Sequence, residues 1–408
     1  MKYVSGRYTQ GQVATHLFEA EDALTRVALA GTGLVISDDD IKQSFINQIH
    51  DLSMGRNEVV FDDNNRPSVY TIYRPDEKAR LDYLNNGGTH FTKGGNELHP
   101  AFIVNGNVVE LLIGKYLAGR VGGTNYGVSL RGLEPAHTIS LDSSMTLCSG
   151  KGTGHHLMTQ AEWAYLMLLA LREGYQPRGN DSYGKSDQDS TEKAEAIDQY
   201  DSSGTQYIGR TLTGSGPLSW SLDGSPFAPM DLRGNVREWN SGYRIKDGEL
   251  QVLANNNAAD STKDQGVDSV LWKAILQSGL LAAPGIADTY KWDFDSAPTA
   301  NGAAYSLNIT IENSSADYYG QKTFSALTAK DGVVVHDLLR ILGLMPTLAN
   351  AALGIQYMRN VGERFGHAGG NWLGTSGAGL GYRLAFYGRS YTSNGIGFRS
   401  ALYRRLNT

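Results

Sequence analysis

The hydrophobic positions in the first quarter of the chain follow the spacing of amphipathic helices. Residues 19–30 have this spacing and end at Gly31, which predicts a first helix. Ser37 can cap a second helix, "DDDIKQSFINQIHDL", whose acidic first turn suits the helix dipole. Its apolar stripe consists of Ile41, Phe45, Ile49 and Leu52. Two such helices predict a small N-terminal domain over residues 1–97, or a contact between subunits. The turn-rich segment 83–100 supplies the boundary.

The pattern changes to strand, hairpin and capped helix after this boundary. "FIVNGNVVELLIGKY" predicts a hairpin, because Asn105-Gly106 suits the left-handed turn of a two-residue loop. "TQAEWAYLMLLALREGYQ" predicts a helix that starts with a capping box of Thr159 and Glu162 and stops at Gly174. These elements predict the framework of the larger domain, residues 98–408.

Two segments interrupt this framework. Residues 179–207 are polar, which predicts a surface insertion. Residues 246–344 predict a second insertion with strands of its own. Within it, "YSLNITIEN" alternates Leu307, Ile309 and Ile311 as a half-buried strand does.

Composition and charge exclude several classes of partner. The chain has 408 residues and a formal net charge of -6, which argues against nucleic-acid binding because phosphates need a dense Lys/Arg surface. No run approaches the roughly 20 apolar residues that membrane insertion needs. Cys148 is the only cysteine, which excludes an internal disulfide and a cysteine-rich zinc site. The first residues lack the apolar region of a signal peptide, so we expect synthesis in the cytoplasm.

Short motifs that suggest enzymatic chemistry are incomplete. "GKGTGHH" lacks the Walker spacing, and a turn is the simpler interpretation. "GAGLG" lacks the strand, helix and downstream acid of a dinucleotide site. His155 and His156 are adjacent and cannot share a helix face as metal ligands. We therefore predict no catalytic residue, no metal and no cofactor.

The closing stretch, "NWLGTSGAGLGYRLAFYGRSYTSNGIGFRSALY", has a different composition. It contains no Asp, Glu, Lys or Gln and is rich in Gly, Ser and aromatic residues. Antibody loops use the same residues, because Tyr offers contact area at small entropic cost while Ser, Asn and Gly adapt to a partner. The alternative is a Gly-rich antiparallel sheet with ordinary aromatic packing.

Three segments in order resemble the formylglycine-generating-enzyme-like branch of the C-type lectin fold: "HHLMTQAEWAYL", "MDLRGNVREW" and "GIGFRSALY". The resemblance implies an α+β fold, in which a C-type lectin-like domain with inserted segments follows the small N-terminal domain. Enzymes of that branch use a cysteine pair near the C-terminus. This chain has only Cys148, so the resemblance argues against that activity. An oxidoreductase of the formylglycine-generating type stays as the alternative.

The closing stretch also resembles the variable proteins of diversity-generating retroelements, which share this fold. "GGNW", "GRS" and "IGFR" fall in register with their variable region, which corresponds here to residues 364–399. In that family, template adenines are randomised, mostly in codons that end in a pyrimidine. The resemblance implies ten diversified sites, Asn371, Leu373, Gly374, Gly377, Leu384, Phe386, Tyr387, Tyr391, Ser393 and Gly395. Phe365, His367 and Ala368 obey the same codon rule and extend the set.

The resemblance implies a non-enzymatic ligand-binding protein with a hypervariable C-terminal face. The expected partner is a protein or glycan receptor on a bacterial cell surface. The expected location is a virion, in the phage tail, or a bacterial cell surface. By analogy the protein is a homo-oligomer, a trimer. The residues expected to form the fixed scaffold are Trp372, Arg383, Arg389, Ile396, Phe398 and Arg399. An undiversified phage structural protein is a further alternative.

Overall fold

The chain contains both helices and strands, as the sequence predicts. The computed structural model describes residues 3–5, 8–92, 95–349 and 351–406. The α-helices are α1 (Gln10–Ala30), α2 (Asp39–Leu52), α3 (Leu81–Asn85), α4 (Leu141–Ser149), α5 (Gln160–Arg172) and α6 (Asp337–Ile341). Among the described residues, none of these helices has the length and apolar character needed to cross a membrane.

The strands of the first half are β1 (Tyr3–Ser5), β2 (Tyr8–Thr9), β3 (Asn57–Phe61), β4 (Pro67–Tyr73), β5 (Ile103–Val104), β6 (Asn107–Gly114), β7 (Ala118–Val121), β8 (Thr124–Ser129), β9 (Glu134–Pro135), β10 (His155–Leu157), β11 (Gln199–Ser202) and β12 (Thr205–Ile208). Those of the second half are β13 (Arg237–Trp239), β14 (Tyr243–Lys246), β15 (Glu249–Val252), β16 (Lys273–Ile275), β17 (Leu281–Ala282), β18 (Lys291–Phe294), β19 (Tyr305–Asn308), β20 (Gly320–Thr323), β21 (Ile355–Met358), β22 (Glu363–Gly369), β23 (Gly379–Tyr387), β24 (Ile396–Phe398) and β25 (Ser400–Arg405).

One sheet joins the end of the chain to its first quarter. Its strands lie in the order β10-β25-β6-β4-β3, and β5 pairs with β6 as the predicted hairpin. Asn105 and Gly106 both have positive φ angles, 51° and 76°, which confirms the predicted turn. Because β4 pairs with β6, this sheet crosses the predicted division between residues 97 and 98.

Helix α1 packs onto the same sheet through a buried ion pair. The Glu21 carboxylate lies 2.7 Å from the Lys115 ammonium and also accepts a hydrogen bond from the Tyr116 hydroxyl. Burial lowers the pKa of Lys115, although the Glu21 charge opposes the shift. Helix α2 is capped by Asp38, whose side chain accepts hydrogen bonds from two backbone N–H groups, so the prediction of Ser37 as the cap was wrong by one residue.

Helix α5 begins with the predicted capping box. The Thr159 side chain accepts from the Glu162 N–H, and the Glu162 side chain accepts from the Thr159 N–H. The helix is buried on most of its surface, and it packs against α3 and α6. The indole N–H of Trp163 donates to the Leu380 carbonyl at 2.8 Å and so fixes the start of β23.

The second large sheet has the main strand order β17-β16-β15-β14-β22-β23-β21-β20. Residues 246–344, predicted as an insertion, supply β15 to β20 and so extend the sheet of the closing stretch on both sides. The strand predicted across "YSLNITIEN" is shorter than expected. It ends at Asn308, because its partner β18 begins at Lys291, and Ile309 and Ile311 lie beyond it.

The polar segment 179–207 is a surface excursion for only part of its length. Its hairpin of β11 and β12 lies at the surface. Its start is buried: Asp181 pairs with Arg233, and the Asn180 side chain donates to the Gly209 carbonyl at 2.9 Å. The segment is therefore anchored to the turn that contains "RGNV".

Candidate ligand-binding face

A row of side chains crosses the second sheet on one of its faces. Strand pairing aligns residues of β20, β21, β23, β22, β13 and β24, which are Gln321, Tyr357, Leu384, His367, Trp239 and Phe398. Directly paired residues point to the same face of a sheet. The row is exposed at Gln321, half-buried at Tyr357, and fully buried at Trp239 and Phe398. One end of this face is therefore open to solvent while the other is core.

An irregularity in β23 changes which residues face this side. Phe365 pairs with Tyr387, and His367 pairs with Leu384. A step of two residues along β22 is therefore matched by a step of three residues along β23. A β-bulge of this kind re-aims the side chains next to it. Leu384 and Tyr387 therefore both lie on the face of the row, and Phe386 lies between them at the surface.

Five partly exposed aromatic residues cluster at the open end, and we call them the aromatic face: Tyr319, Tyr357, Phe386, Tyr387 and Tyr391. The rings of Tyr319 and Phe386 stack with centroids 4.6 Å apart, and those of Tyr387 and Tyr391 stack at 3.4 Å. Phe386 and Tyr387 are 4.4 Å apart, which connects the two stacks. Tyr357 lies edge-on to Phe386 at 6.1 Å. The cluster is a continuous aromatic surface.

The loop after β23, residues 388–395, is fastened to the rest of the chain at several points. The Thr138 N–H donates to the Ser393 carbonyl at 2.9 Å, and Arg389 reaches the Glu363 carboxylate at 2.9 Å and that of Asp142 at 3.0 Å. Burial would raise the pKa of Glu363, but hydrogen bonds from Arg389 and Arg244 outweigh it and hold the pKa below its usual value. The loop that carries Tyr391 is therefore held by a charged network.

Two arginines border the aromatic face. Arg237 donates through Nε to the Tyr382 hydroxyl at 3.0 Å, and the Arg359 guanidinium lies 5.9 Å from the centre of the Phe386 ring. Neither forms an ion pair with a carboxylate in the described part of the chain. Burial, followed by a hydrogen bond with Tyr391, raises the pKa of Tyr387 to about 12, so the Tyr387 hydroxyl is protonated at neutral pH.

A buried ion pair joins β13 to the segment between β24 and β25. The Arg399 guanidinium donates to both Glu238 carboxylate oxygens at 2.9 Å, and it also donates to the carbonyls of Gly114 and Met230 at 2.8 Å. The ion pair is bidentate, and the remaining Arg399 N–H groups donate to backbone carbonyls. These hydrogen bonds offset the desolvation free energy of burying the guanidinium charge. Arg399 thereby joins "IGFR" and "GNVREW", two of the three segments that carry the family resemblance, to the end of β6.

The predicted variable residues divide into two groups. Half-buried or exposed are Leu373, Gly374, Phe386, Tyr387, Tyr391 and Ser393. Buried are Asn371, Gly377, Leu384, Gly395, Phe365, His367 and Ala368. Phe386, Tyr387 and Tyr391 are brought together in the aromatic face. The predicted scaffold residues are buried, except for Arg389, which is half-buried.

The buried members offer little to a ligand in this structure. Phe365 packs edge-on against Trp272, and His367 lies against Trp239 with its Nδ1 bonded to the Leu384 carbonyl at 3.2 Å. Burial also lowers the pKa of His367 well below its usual value, so its ring is neutral. The extension of the variable set to Phe365 and His367 therefore falls on core positions. Phe365 and His367 are buried because β22 lies between β23 and β13, at the end of the sheet where the side chains of the row are core.

The glycines of the set are crowded as well. A Cβ at Gly377 would lie 2.8 Å from the Ile355 side chain, and one at Gly395 would lie 2.8 Å from the Asn371 amide. Both neighbours are ends of side chains, so a larger residue fits only if they move. Asn371 itself touches the aromatic face indirectly, because Arg237 donates to it at 3.4 Å.

Sequence reasoning missed Tyr319, Tyr357, Arg237 and Arg359. Tyr319 belongs to "SSADYYGQ", which shares the small residues and tyrosines of the tail but also contains the Asp and Gln that the tail lacks. The period-two pattern of "IQYM" could have placed Tyr357 on an exposed strand face. The approach of both segments to the tail could not be predicted, because it depends on pairing between strands that are distant in sequence.

A cleft of about 380 Å³ lies beside the loop 388–395, with Arg389 and His156 in its wall. Both groups are engaged, Arg389 by two carboxylates and His156 by Glu162 at 2.7 Å. Cys148 is buried nearby, and burial raises the pKa of its thiol to about 12, which disfavours the reactive thiolate. Within the described residues, no group of three His, Cys, Asp or Glu side chains is placed to hold a metal ion.

Comparison with known proteins gives matches among solved structures only. No protein-family model and no curated protein matches the sequence. The structure is similar to Treponema denticola variable protein 1, with 10% identity over 85% of this chain and 98% of that chain and a TM-score of 0.30. It is also similar to the U1 and P3c variants of the Major Tropism Determinant, each with 11% identity over 86% of this chain and 72% of that chain and a TM-score of 0.28. These names agree with the resemblance of the closing stretch.

Proposed function

We propose that this chain is a non-enzymatic binding protein whose C-terminal face is diversified by a retroelement. The observation that carries the proposal is the aromatic face. Phe386, Tyr387 and Tyr391, three predicted variable residues, meet at the open end of a sheet whose other end is rigid core. Tyr is among the side chains that dominate protein binding surfaces, and Phe is enriched at their cores.

The buried residues that hold the backbone of the aromatic face, which we call the frame, support the same function. Exchange of surface side chains is tolerated only if the backbone is held by other residues. Here Arg399 and Glu238 hold the strand that follows the face, and Trp163 holds the strand that carries it. We propose a C-type lectin-like arrangement for this frame. The pairing of β25 with β6, which brings the chain end beside the start of the larger domain, supports it.

The proposed setting is a phage particle, with the face directed at a protein or glycan receptor on a bacterial surface. Several copies on one particle would add avidity to a weak single contact, which makes a homo-oligomer, a trimer by analogy, advantageous. No catalytic step is assigned: burial raises the pKa of the Cys148 thiol, and His156 is engaged by Glu162.

The test is to sequence the DNA that adjoins the coding region. The proposal predicts a reverse-transcriptase gene and an adenine-rich near-copy of the segment that encodes residues 364–399. Differences between isolates should fall at the accessible positions Phe386, Tyr387 and Tyr391 more often than at Ile396 or Phe398. An unchanging tail with no template copy would contradict diversification and leave a structural or decoration protein.

A further inference from the structure

We propose that Tyr319, Tyr357, Arg237 and Arg359 form a constant rim of the binding face, and that this rim takes an acidic protein surface. The matching feature of the partner is a carboxylate side chain beside an apolar one. This inference rests on the proposed function, because it assigns partner chemistry to the same face. All four residues lie outside the predicted variable region.

Contacts to the variable residues place the two tyrosines in the rim. The Tyr319 ring is within 10° of parallel to that of Phe386, and Tyr357 contacts Phe386 and Tyr382 edge-on. Tyr319 precedes β20, which lies at an end of the sheet order, and Tyr357 lies on the adjacent β21. A ligand that covers Phe386 must therefore also touch one of these rings. Their identity stays fixed while the residue at 386 changes.

The two arginines give the rim its charge. The Arg359 Nε is buried without a hydrogen-bond acceptor, while one of its terminal nitrogens donates to the Asp317 carbonyl at 3.0 Å. Both Arg237 and Arg359 lie near enough to Tyr387 to lower its pKa, against the larger effect of burial. The nearby carboxylate of Glu363 is occupied by Arg244 and Arg389. The aromatic face therefore has two cations that no described carboxylate neutralises, in a protein whose net charge is -6.

This charge selects the partner. A carboxylate can accept parallel hydrogen bonds from a guanidinium, and an aliphatic or aromatic side chain beside it would pack on the Tyr and Phe rings. Complementary charge also raises the rate of encounter and excludes basic surfaces. The rings already stack on each other in pairs, which leaves fewer free ring faces for a sugar. A phosphate backbone needs more cations than two. An acidic protein surface fits best.

The experiment pans a library of random linear peptides against the immobilised full-length protein. The selected peptides should contain more Asp and Glu than the input library, next to an apolar residue. Their affinity, measured by calorimetry, should fall at least about tenfold for Tyr319→Ala and for Arg359→Gln. Affinity should also fall as salt rises, because the contacts with the arginines are screened.

Matched controls separate the rim from general effects. Tyr318→Ala removes the neighbouring half-buried tyrosine, which has no ring contact with the aromatic face, and Arg26→Gln removes an exposed charge on α1. Both should leave the affinity unchanged. Melting temperatures check that each variant is folded. If Arg359→Gln does not fold, Arg359→Lys keeps the charge but loses the paired hydrogen bonds, and it should weaken binding by a smaller factor.

Three results would overturn the inference. One is selected peptides without acidic enrichment. Another is affinity that depends on Tyr387 and Tyr391 but not on Tyr319 or Arg359. The third is binding to defined bacterial oligosaccharides while no peptide is enriched. The proposed function is tested separately, by the presence of a template copy and a reverse-transcriptase gene in the adjoining DNA. It can therefore hold even if the inference about the rim is wrong.

Discussion

The ring of Tyr391 lies on the ring of Tyr387, with centroids 3.4 Å apart and planes 5° from parallel. The two residues belong to different parts of the tail, since Tyr387 ends β23 and Tyr391 lies in the loop that follows it. The stack therefore fixes the loop against the strand. It also means that two sites predicted to vary independently are in direct contact.

We expect the effects of replacing these two tyrosines to be non-additive. Tyr387→Ala and Tyr391→Ala each remove the same ring contact, so the double variant should lose less stability than the sum of the single variants. The coupling should be about 0.5 to 1.5 kcal/mol, as for other aromatic pairs. Urea unfolding of the four proteins in the cycle measures it. Additive losses would mean that the stack does not contribute in solution.

Phenylalanines in the face and in the frame should differ in their contribution to stability. Phe398 is fully buried, and Phe398→Ala should cost about 3 to 5 kcal/mol of unfolding free energy because it leaves a cavity. Phe386 is partly exposed, and Phe386→Ala should cost about 1 kcal/mol. Chemical denaturation measures the unfolding free energy of both variants, in which the same Phe→Ala substitution is made at different sites. Equal losses would contradict the division into frame and face.

Two glycines of the tail, Gly397 and Gly388, should differ in their tolerance of a side chain. A Cβ at Gly397 would lie 2.1 Å from the Ala136 carbonyl oxygen, whereas at Gly388 the nearest atom is 3.7 Å away. Backbone cannot move aside as a side chain can. Gly397→Ala should therefore lower stability by about 3 kcal/mol or more, or abolish folding. Gly388→Ala should change stability by less than about 0.5 kcal/mol. Melting curves decide between them.

Asp231 gives the fold a dependence on pH. Burial raises its pKa from 3.8 to about 6, so the folded protein binds this proton more tightly than the unfolded chain. The resulting stability is present below about pH 4 and is lost as the pH rises through 6. Asp231→Asn keeps an oxygen to accept from the Gly214 N–H at 2.7 Å and carries no charge. The variant should be more stable than the parent by about 2 to 3 kcal/mol above pH 6. The difference should disappear near pH 4, as denaturation at several pH values can show.

The buried pair of Glu21 and Lys115 tests whether the first quarter of the chain is separable. Glu21→Ala leaves the Lys115 charge buried without its partner, which should cost about 3 to 5 kcal/mol. Glu19→Ala, on the exposed side of the same helix, should cost less than about 0.5 kcal/mol. We also expect residues 98–408 alone to be unstable, because β6 would lose β4. A stably folded fragment would support the predicted domain division.

The sequence predicted local elements well because their signals are local. The capping box of Thr159 and Glu162 and the turn at Asn105-Gly106 depend on residues within four positions of each other, and both were correct. Ser37 failed as a cap because Asp38, one residue later, is an equally good acceptor. The order of "QAEW", "GNVREW" and "GFR" carried the resemblance to the C-type lectin fold.

The candidate site was only partly predictable. The composition of the tail indicated Phe386, Tyr387 and Tyr391, but it could not show that Phe365 and His367 point into the core. That depends on the place of β22 between β23 and β13, which is a property of the sheet. The rim residues Tyr319 and Tyr357 were missed for the same reason.

Strand β23 is an interior strand, paired with β21 on one side and β22 on the other. Its main-chain hydrogen bonds form with almost any side chain on the strand. Leu384 or Phe386 can therefore be replaced without loss of these hydrogen bonds. Proline is the exception, because it has no N–H to donate. Codons that end in a pyrimidine can also encode proline. Under the proposed diversification, a fixed share of newly made copies would therefore be discarded at folding, before any encounter with a receptor.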